Sequence, residues 1–582
     1  MLSRYPFAAL VLACVVAELA CPGCRGLSRS GPLGAVERAP RAPAPAGVAE
    51  TVGEYAHLVG HDVMEAQGYG LVVGLGKAGS SEVPPTLRKY LTEQMLKWKV
   101  HSYREGTGAL TPGRMLEDLD TAVVSVRGRI PAAAPAGTRF DLYVEALPGT
   151  QTVSLDGGML MGTELRLVLG ESFFRSSGQA KPWATGQGAV FVNPFVDPTK
   201  PESKASLRAG RVLDGGVVVR SRPVRLELRR ADYRMSNLIQ ERINQRFSGA
   251  ESPVATAKTS TVIDLSIPAQ WEKDYMHFLR LLTHVHVQGG AGGQERYARR
   301  LAQEIELPTA RYEDISLVWE AMGRQVFPAI RPLYASENPA AAFYSSRAGL
   351  RLGDVQAVEP MIYLAERTDS NFQIPAVGEL GRAKRFAQGL GVLKRLVSSP
   401  NEVLRVAAYE ALSDRGGGGV ISRQDISKQF VLDVVNTDGE FAVYASSTGQ
   451  PKVVLFGQNI PIYRPVFYCQ GDDLVTINAI EAEDKVGVVR KVPRTGQMSE
   501  TFQIDPKVDE LVRVMGRLPH RGLDGKIEGL GLTYSQVVGV LHGLSAGRHV
   551  PAKFVLQRSE ELRTIYSSTP SMGRPDMPEE DG

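Results

Sequence analysis

Three groups of residues in this chain have the types and spacing to do chemistry. Gly74-Leu75-Gly76-Lys77-Ala78-Gly79 follows the apolar run Leu71-Val72-Val73 and fits the glycine fingerprint of a dinucleotide site. That chemistry needs a helix opening at the third glycine, with its N-terminus aimed at a pyrophosphate. Ser80-Ser81-Glu82-Val83-Pro84-Pro85 follows instead, so the loop is read as structural. Gly543-Leu544-Ser545-Ala546-Gly547, with His549 nearby, has the spacing of a hydrolase nucleophile elbow. An elbow runs strand, serine, helix. Here the serine follows a helical pattern and precedes a strand, which makes it a helix C-terminal turn. His57 and His61 form one histidine group; His277, His284 and His286 form another, with the last two expected on one strand face. Neither group supplies a third ligand or a cysteine, so both are read as surface histidines and not a metal site. No carboxylate pair is placed for acid–base work. The sequence predicts no catalytic residue, no metal and no cofactor.

The elements that must position these residues fall into blocks. Residues 1–25 read as an export signal, with Arg4 in the charged segment and Phe7 to Ala17 as the apolar one. Leu19-Ala20-Cys21 has the form of a lipoprotein box ending, in which Cys21 would be acylated; Glu18 departs from that box, and ordinary cleavage before Gly26 is the competing reading. Residues 26–50 are a Pro/Ala/Gly spacer expected to be disordered. No later stretch has the 18 apolar residues of a membrane helix. A net charge of +4 in 582 residues, with no long cationic run, argues against a nucleic-acid binder.

Residues 51–288 read as mainly β. Phe140, Leu142, Val144 and Ala146 alternate with Asp141, Tyr143 and Glu145, the period of a half-buried strand. Helices are expected after Pro84-Pro85 (Leu87, Leu91, Met95, Trp98) and after a capping Asp232 (Met235, Ile239, Ile243, Phe247). Residues 294–415 change to helical spacing. Asn338-Pro339 and Ser399-Pro400-Asn401 each open an Ala-rich helix ending in Leu, a pattern similar to HEAT-type repeats. Glycine runs at 289–293 and 416–419 flank this segment and suggest an appended arm able to pivot. Residues 420–566 return to strands and close with helices, one expected at Pro506 and one over 533–544; residues 567–582 are a polar tail. The fold class is therefore α+β, with β-rich domains interrupted by an all-α helical module.

The stretch Gln67-Gly68-Tyr69-Gly70-Leu71-Val72-Val73-Gly74-Leu75 closely resembles the N-terminal signature of the bacterial flagellar P-ring protein family. Further stretches keep that family's order: Asp120 to Val126, Pro135 to Leu142, Ser154 to Met161 with Gly157-Gly158, Asp232 to Phe247, Phe441 to Gly457 and Thr533 to Gln557. Gly76-Lys77-Ala78-Gly79 departs from the family's loop, and 294–415 has no counterpart in it. The resemblance implies a structural, non-enzymatic protein exported to the periplasm. Its copies would form a closed ring around the flagellar rod, next to the L-ring protein and within the peptidoglycan layer. Basic residues near the loops of the first block, Lys77, Lys97 and Lys99, are expected to meet an acidic rod surface. The alternative is an envelope scaffold that uses the same module outside a flagellum.

Overall fold

The computed structural model describes residues 48–97, 111–167, 181–195, 203–249, 252–288, 291–471, 474–493, 495–522 and 527–557. Cys21, the signal, most of the spacer, Trp98, Lys99 and the tail lie outside the described residues. Among those described, no helix is long and apolar enough to cross a membrane.

Among the described residues the N-terminal region contains ten strands. They are β1 (Ala56–Val59), β2 (Met64–Val73), β3 (Thr121–Ile130), β4 (Arg139–Ala146), β5 (Met159–Leu167), β6 (Ala184–Ala189), β7 (Ala209–Val218), β8 (Val224–Leu228), β9 (Ala255–Ala257) and β10 (Val262–Leu265). Six close into a barrel in the order β2-β3-β4-β7-β6-β5, and the others form a sheet in the order β1-β8-β10-β9. The alternation in β4 is realised as Phe140, Leu142, Val144 and Ala146 buried inside. Six strands leave little room at a barrel axis, and glycines supply it. A Cβ at Gly128 would lie 2.6 Å from Phe140 Cε2, and one at Gly216 2.8 Å from the same ring. Helices Tyr233–Phe247 and Tyr275–Thr283 cover the second sheet, burying Ile239, Ile243, Phe278 and Leu282 against Leu226 and Ile263. Asp232 caps the first of them by accepting from the Arg234 and Met235 amides.

Residues 291–414 are helical. Trp319, Val326, Ile330 and Leu333 have the spacing of one helix, but they do not make one. Gly323, at φ +89°, ends Tyr312–Met322, and three short turns follow. Asn338 and Asn401 cap Pro339–Leu352 and Glu402–Asp414 through their side chains, so the Pro-containing turns are helix starts.

The expectation of a pivoting arm is corrected by the packing. Leu317 and Ala321 belong to the same core as Phe247 and Phe278. On the other side, Val435, Ala442, Tyr444, Val454 and Phe456 share a core with Leu393, Ala408 and Leu412. The glycine runs serve local geometry. The end of the first, Ala291-Gly292-Gly293, is already the start of helix Ala291–Glu304, and Gly416 to Gly419 all take positive φ in one reversal.

The C-terminal region has a five-stranded sheet of β11 (Ile421–Ile426), β12 (Phe430–Val435), β13 (Ala442–Ala445) and β14 (Lys452–Phe456), joined at its edge by a strand from the end of the chain. A second, antiparallel sheet follows: β15 (Val466–Gln470), β16 (Val475–Ala479), β17 (Val486–Arg490) and β18 (Phe502–Ile504). A ribbon of β19 (His520–Arg521) and β20 (Ile527–Glu528) precedes helix Tyr534–Ala546, and β21 (Lys553–Leu556) is the edge strand, parallel to β13. The other late helix is Val508–Gly516, starting two residues beyond Pro506 and not at it. Side chains in the five-stranded sheet alternate between two cores. Ala442, Tyr444, Val454 and Phe456 face the helical segment. Val443, Ala445, Val453 and Leu455 face the second sheet and the late helices. This sheet is therefore the middle layer between them.

Candidate functional site

The signature stretch is the barrel strand β2 and the loop that leaves it. Its pairing with β5 breaks register between Gln67 and Val72, where the two strands press together. A Cβ at Gly68 would fall inside the van der Waals shell of the Glu164 carbonyl oxygen, and one at Gly70 would lie 2.9 Å from Leu160 Cδ1. Tyr69 points to the other face, against the small core of Leu71, Leu87 and Leu91 under helix Pro85–Lys97. The Gly-Tyr-Gly pattern is thus one bare face and one aromatic face of a single strand. Gly68→Ala is expected to cost about 3 kcal/mol, because its clash is with backbone and no rotamer relieves it. Gly113→Ala, in open space within a helix, should stay within about 1 kcal/mol of wild type. Urea unfolding of both variants checks this.

Beyond β2, Gly74 and Gly76 take φ of +86° and +66°, conformations that glycine adopts freely. The amides of Leu75, Gly76, Ala78, Gly79 and Ser80 are used within the fold. Gly76 N–H donates to Asp120 Oδ1 at 2.6 Å and Leu75 N–H to the Asp120 carbonyl at 3.0 Å. Gly79 and Ser80 donate to Leu119 and Thr121. These five amides are turned to the protein and not to a phosphate, and the next helix begins only at Pro85. This agrees with reading the fingerprint as structural.

The second signature pair, Gly157-Gly158, arrives at the same end of the barrel. A Cβ at Gly158 would lie 2.7 Å from Leu75 Cδ2, and one at Gly157 would lie 2.6 Å from Gln536 Nε2. Gln536 is in the first turn of helix Tyr534–Ala546, where its Oε1 accepts from the Thr533 amide at 3.1 Å. Next to it Ser535 Oγ donates to the Val192 carbonyl at 2.9 Å. Asp156 is enclosed beneath them. Burial pushes its carboxyl up, against hydrogen bonds from Ser535, the Gly157 amide and Gln536. The Gly449 amide reaches Asp141, and a Cβ at Gly76 would lie 3.0 Å from Pro493 Cβ. Leu75, Gly157, Gly158 and Gln536 therefore meet at one junction, where the C-terminal region docks on the barrel.

The remaining chemical residues are placed as follows. Ser545 Oγ donates to the Ala552 carbonyl at 2.7 Å at the end of its helix, the turn expected of it. His57 and His61 are at or near the surface. The other three histidines are not surface residues, and His284 and His286 share no strand. His286 is buried, stacked on Tyr297 and 3.1 Å from Glu50. His284 Nε2 lies 3.1 Å from Asp314, and His277 Nε2 lies 2.6 Å from Glu320. Their partners come from the N-terminal end or the helical segment, 30 to 236 residues away in sequence, so spacing could not reveal them. Lys77 is exposed on its loop. Lys97 instead binds the buried Glu164, which also takes Arg166 at 3.0 Å. Burial would push the Glu164 carboxyl up, but these two cations hold it below its ordinary value.

The glycine loop, Ser545 and the buried histidine partners are spent on holding backbone or closing a core, and His57 and His61 lie at or near the surface. The barrel, the glycine contacts and the docked C-terminal helix define a protein built to fit parts together. A model of the flagellar P-ring protein family matches residues 52–292, ending as helix Ala291–Glu304 begins. A flagellar P-ring protein of Anaeromyxobacter dehalogenans (strain 2CP-C) is 31% identical over 368 residues, covering 61% of this chain and 89% of that protein. One from Caulobacter sp. (strain K31) is 28% identical over 232 residues, 38% of this chain and 56% of that protein. One from Anaeromyxobacter sp. (strain K) is 30% identical over 249 residues, 41% and 60% respectively. The chain thus spans under two thirds of two of these relatives. It belongs to the flagellar P-ring protein family.

Proposed function

We propose that this protein is the structural subunit of the flagellar basal-body P ring. Copies assemble in the periplasm as a closed ring around the rod and serve as its bushing in the peptidoglycan layer, beside the L-ring protein. The observation that carries this reading is the junction of Leu75, Gly157, Gly158 and Gln536, which unites the family-like stretches from both ends of the chain. Residues 51–288 and 420–566 act together as the ring subunit, and 294–415 is a helical addition packed into it. The role is mechanical and not enzymatic, and no cofactor is needed. Closure of a ring requires two different complementary surfaces on each subunit. Residues 1–25 direct export, with Cys21 acylated or removed at cleavage. Lys77 has an exposed charge to present to an acidic rod surface; Lys99 would join it, and Lys97 would do so on leaving Glu164.

Deleting the gene is expected to abolish swimming and to leave basal bodies without the periplasmic ring, both restored by the wild-type chain. Normal swimming with a complete ring would overturn the assignment and favour the non-flagellar scaffold.

A further inference from the structure

Between Glu379 and Glu402 the chain carries Arg382, Lys384, Arg385, Lys394 and Arg395 and no acid. All five are exposed. Arg382 pairs with Glu379 and Arg395 with Glu366. Arg415 holds the turn that carries Lys384 and Arg385, donating to the Leu380, Ala383 and Phe386 carbonyls at 2.7, 2.9 and 2.7 Å. Lys394, on the helix Gln388–Leu396 that follows, lies near the 416–419 reversal, its Cε 3.5 Å from where a Cβ at Gly418 would stand. The apolar side chains of Phe386 and Leu390 are half-exposed among these cations.

A surface of opposite character lies on the other side of the middle sheet. The turn between β16 and β17 reads Ile480-Glu481-Ala482-Glu483-Asp484, all exposed, with Arg464 4.0 Å from Asp484 and the following Lys485 paired with Asp505. Ile480 is 62% exposed and Phe467, on the neighbouring edge strand β15, 73%. The basic face belongs to the helical segment and the acidic turn to the second sheet. These pack on opposite faces of the five-stranded sheet. Within one chain the two surfaces cannot meet, whereas head-to-tail copies bring such surfaces together.

We propose that the basic face at 382–395 of one subunit docks on the acidic turn at 480–484 of the next copy. Phe467 and Ile480 provide the apolar centre against Phe386 and Leu390, and the charges set the register. The proposal rests on the ring assignment and gives the helical segment a task in it, as a clasp between consecutive subunits.

The test uses two reversals in the purified mature protein. One is Lys384→Glu/Arg385→Glu/Lys394→Glu; the other is Glu481→Lys/Glu483→Lys/Asp484→Lys. Sedimentation at low salt should show each losing self-association by about a hundredfold or more, since like charges then face each other. Mixing the two variants should restore association, because each then presents the complement the other lacks. Salt should weaken the wild-type contact. Thermal melts establish that both variants fold; should one not, the Lys→Gln and Glu→Gln versions should still weaken association about tenfold. A mixture no better than its components, or a wild-type chain monomeric at all concentrations, would overturn the contact. Complete rings in cells carrying either reversal alone would overturn it while leaving the ring assignment in place. Basal bodies that never contain the wild-type chain would overturn the assignment beneath it.

Discussion

Deletion of residues 294–415 is expected to leave no stably folded protein. The segment covers Val435, Ala442, Tyr444, Val454 and Phe456 on one face of the middle sheet, and its Leu317 and Ala321 complete the core around Phe247 and Phe278. Uncovering large apolar side chains costs about 1.5–3 kcal/mol each, so the four larger ones on the sheet alone amount to a loss on the order of 10 kcal/mol. Whole domains are stable by about 5–15 kcal/mol. Two polar attachments, the first of them buried, would go as well. Tyr409 Oη donates to the buried Asp433 at 2.5 Å, and Arg246 Nε donates to the Ala321 carbonyl at 2.8 Å. Circular dichroism and limited proteolysis of a deletion joined by a Gly-Ser linker measure the outcome. A cooperative melt close to that of the intact chain would show that the segment is a separable arm after all.

Arg351→Met is the point substitution with the largest expected effect outside the barrel. The Arg351 guanidinium grips Glu379 at 2.7 and 2.9 Å, stands 2.8 Å from His277 Nε2 and reaches Glu320 at 3.5 Å. Glu379 and Glu320 are both buried. Removing the shared cation strands two carboxylates, with Arg382 and His277 as their remaining partners, and breaking a buried pair in this way costs about 3–5 kcal/mol. Arg351→Met/Glu379→Gln should recover at least about 1 kcal/mol, since the second change removes one stranded charge.

The pH dependence has a definite sign. Burial pushes the Glu379 carboxyl up, but the Arg351 charge and hydrogen bonds outweigh it and hold the group below its ordinary value of 4.5. A depressed folded value contributes stability that is complete above 4.5 and is lost as pH falls through the folded value. In Arg351→Met, Arg382 and Arg347 still favour the charged form of Glu379, but the strongest opposition to burial is gone, and protonation relieves what remains. The deficit of the variant relative to wild type should therefore shrink as urea unfolding is repeated from pH 7 downward through 4.5. A deficit constant with pH would mean that Arg351 acts through packing alone.

The parts of this molecule that were legible in sequence are those whose cause is local. The alternation in Phe140 to Ala146 and the capping Asp232 need only neighbours a few residues away, and both elements formed as expected. The order of the blunted motifs was equally local: a helix that starts at Pro85 and not at Gly79, and a serine after a helix and not before one. The histidines were illegible because burial is a property of what arrives opposite. Glu320, Asp314 and Glu50 come from other elements, and nothing in the spacing of His277, His284 and His286 records them. The glycine runs misled for a related reason. Glycine signals backbone freedom at a turn, not the absence of a core beyond it, and both runs open directly onto packed elements.

The docking of the C-terminal helix on the barrel also sets the order in which this chain becomes a folded protein. Asp141 waits for the Gly449 amide 308 residues later, and the Val192 carbonyl waits for Ser535, 343 residues on. Contacts of such sequence separation are formed late and slowly, because the loop-closure entropy comes before the reward. A chain emerging from its N-terminus thus presents a barrel with one end uncapped until nearly all of it has been delivered. Folding is completed by the last helix, and a truncation before residue 533 would leave the first half without its cover.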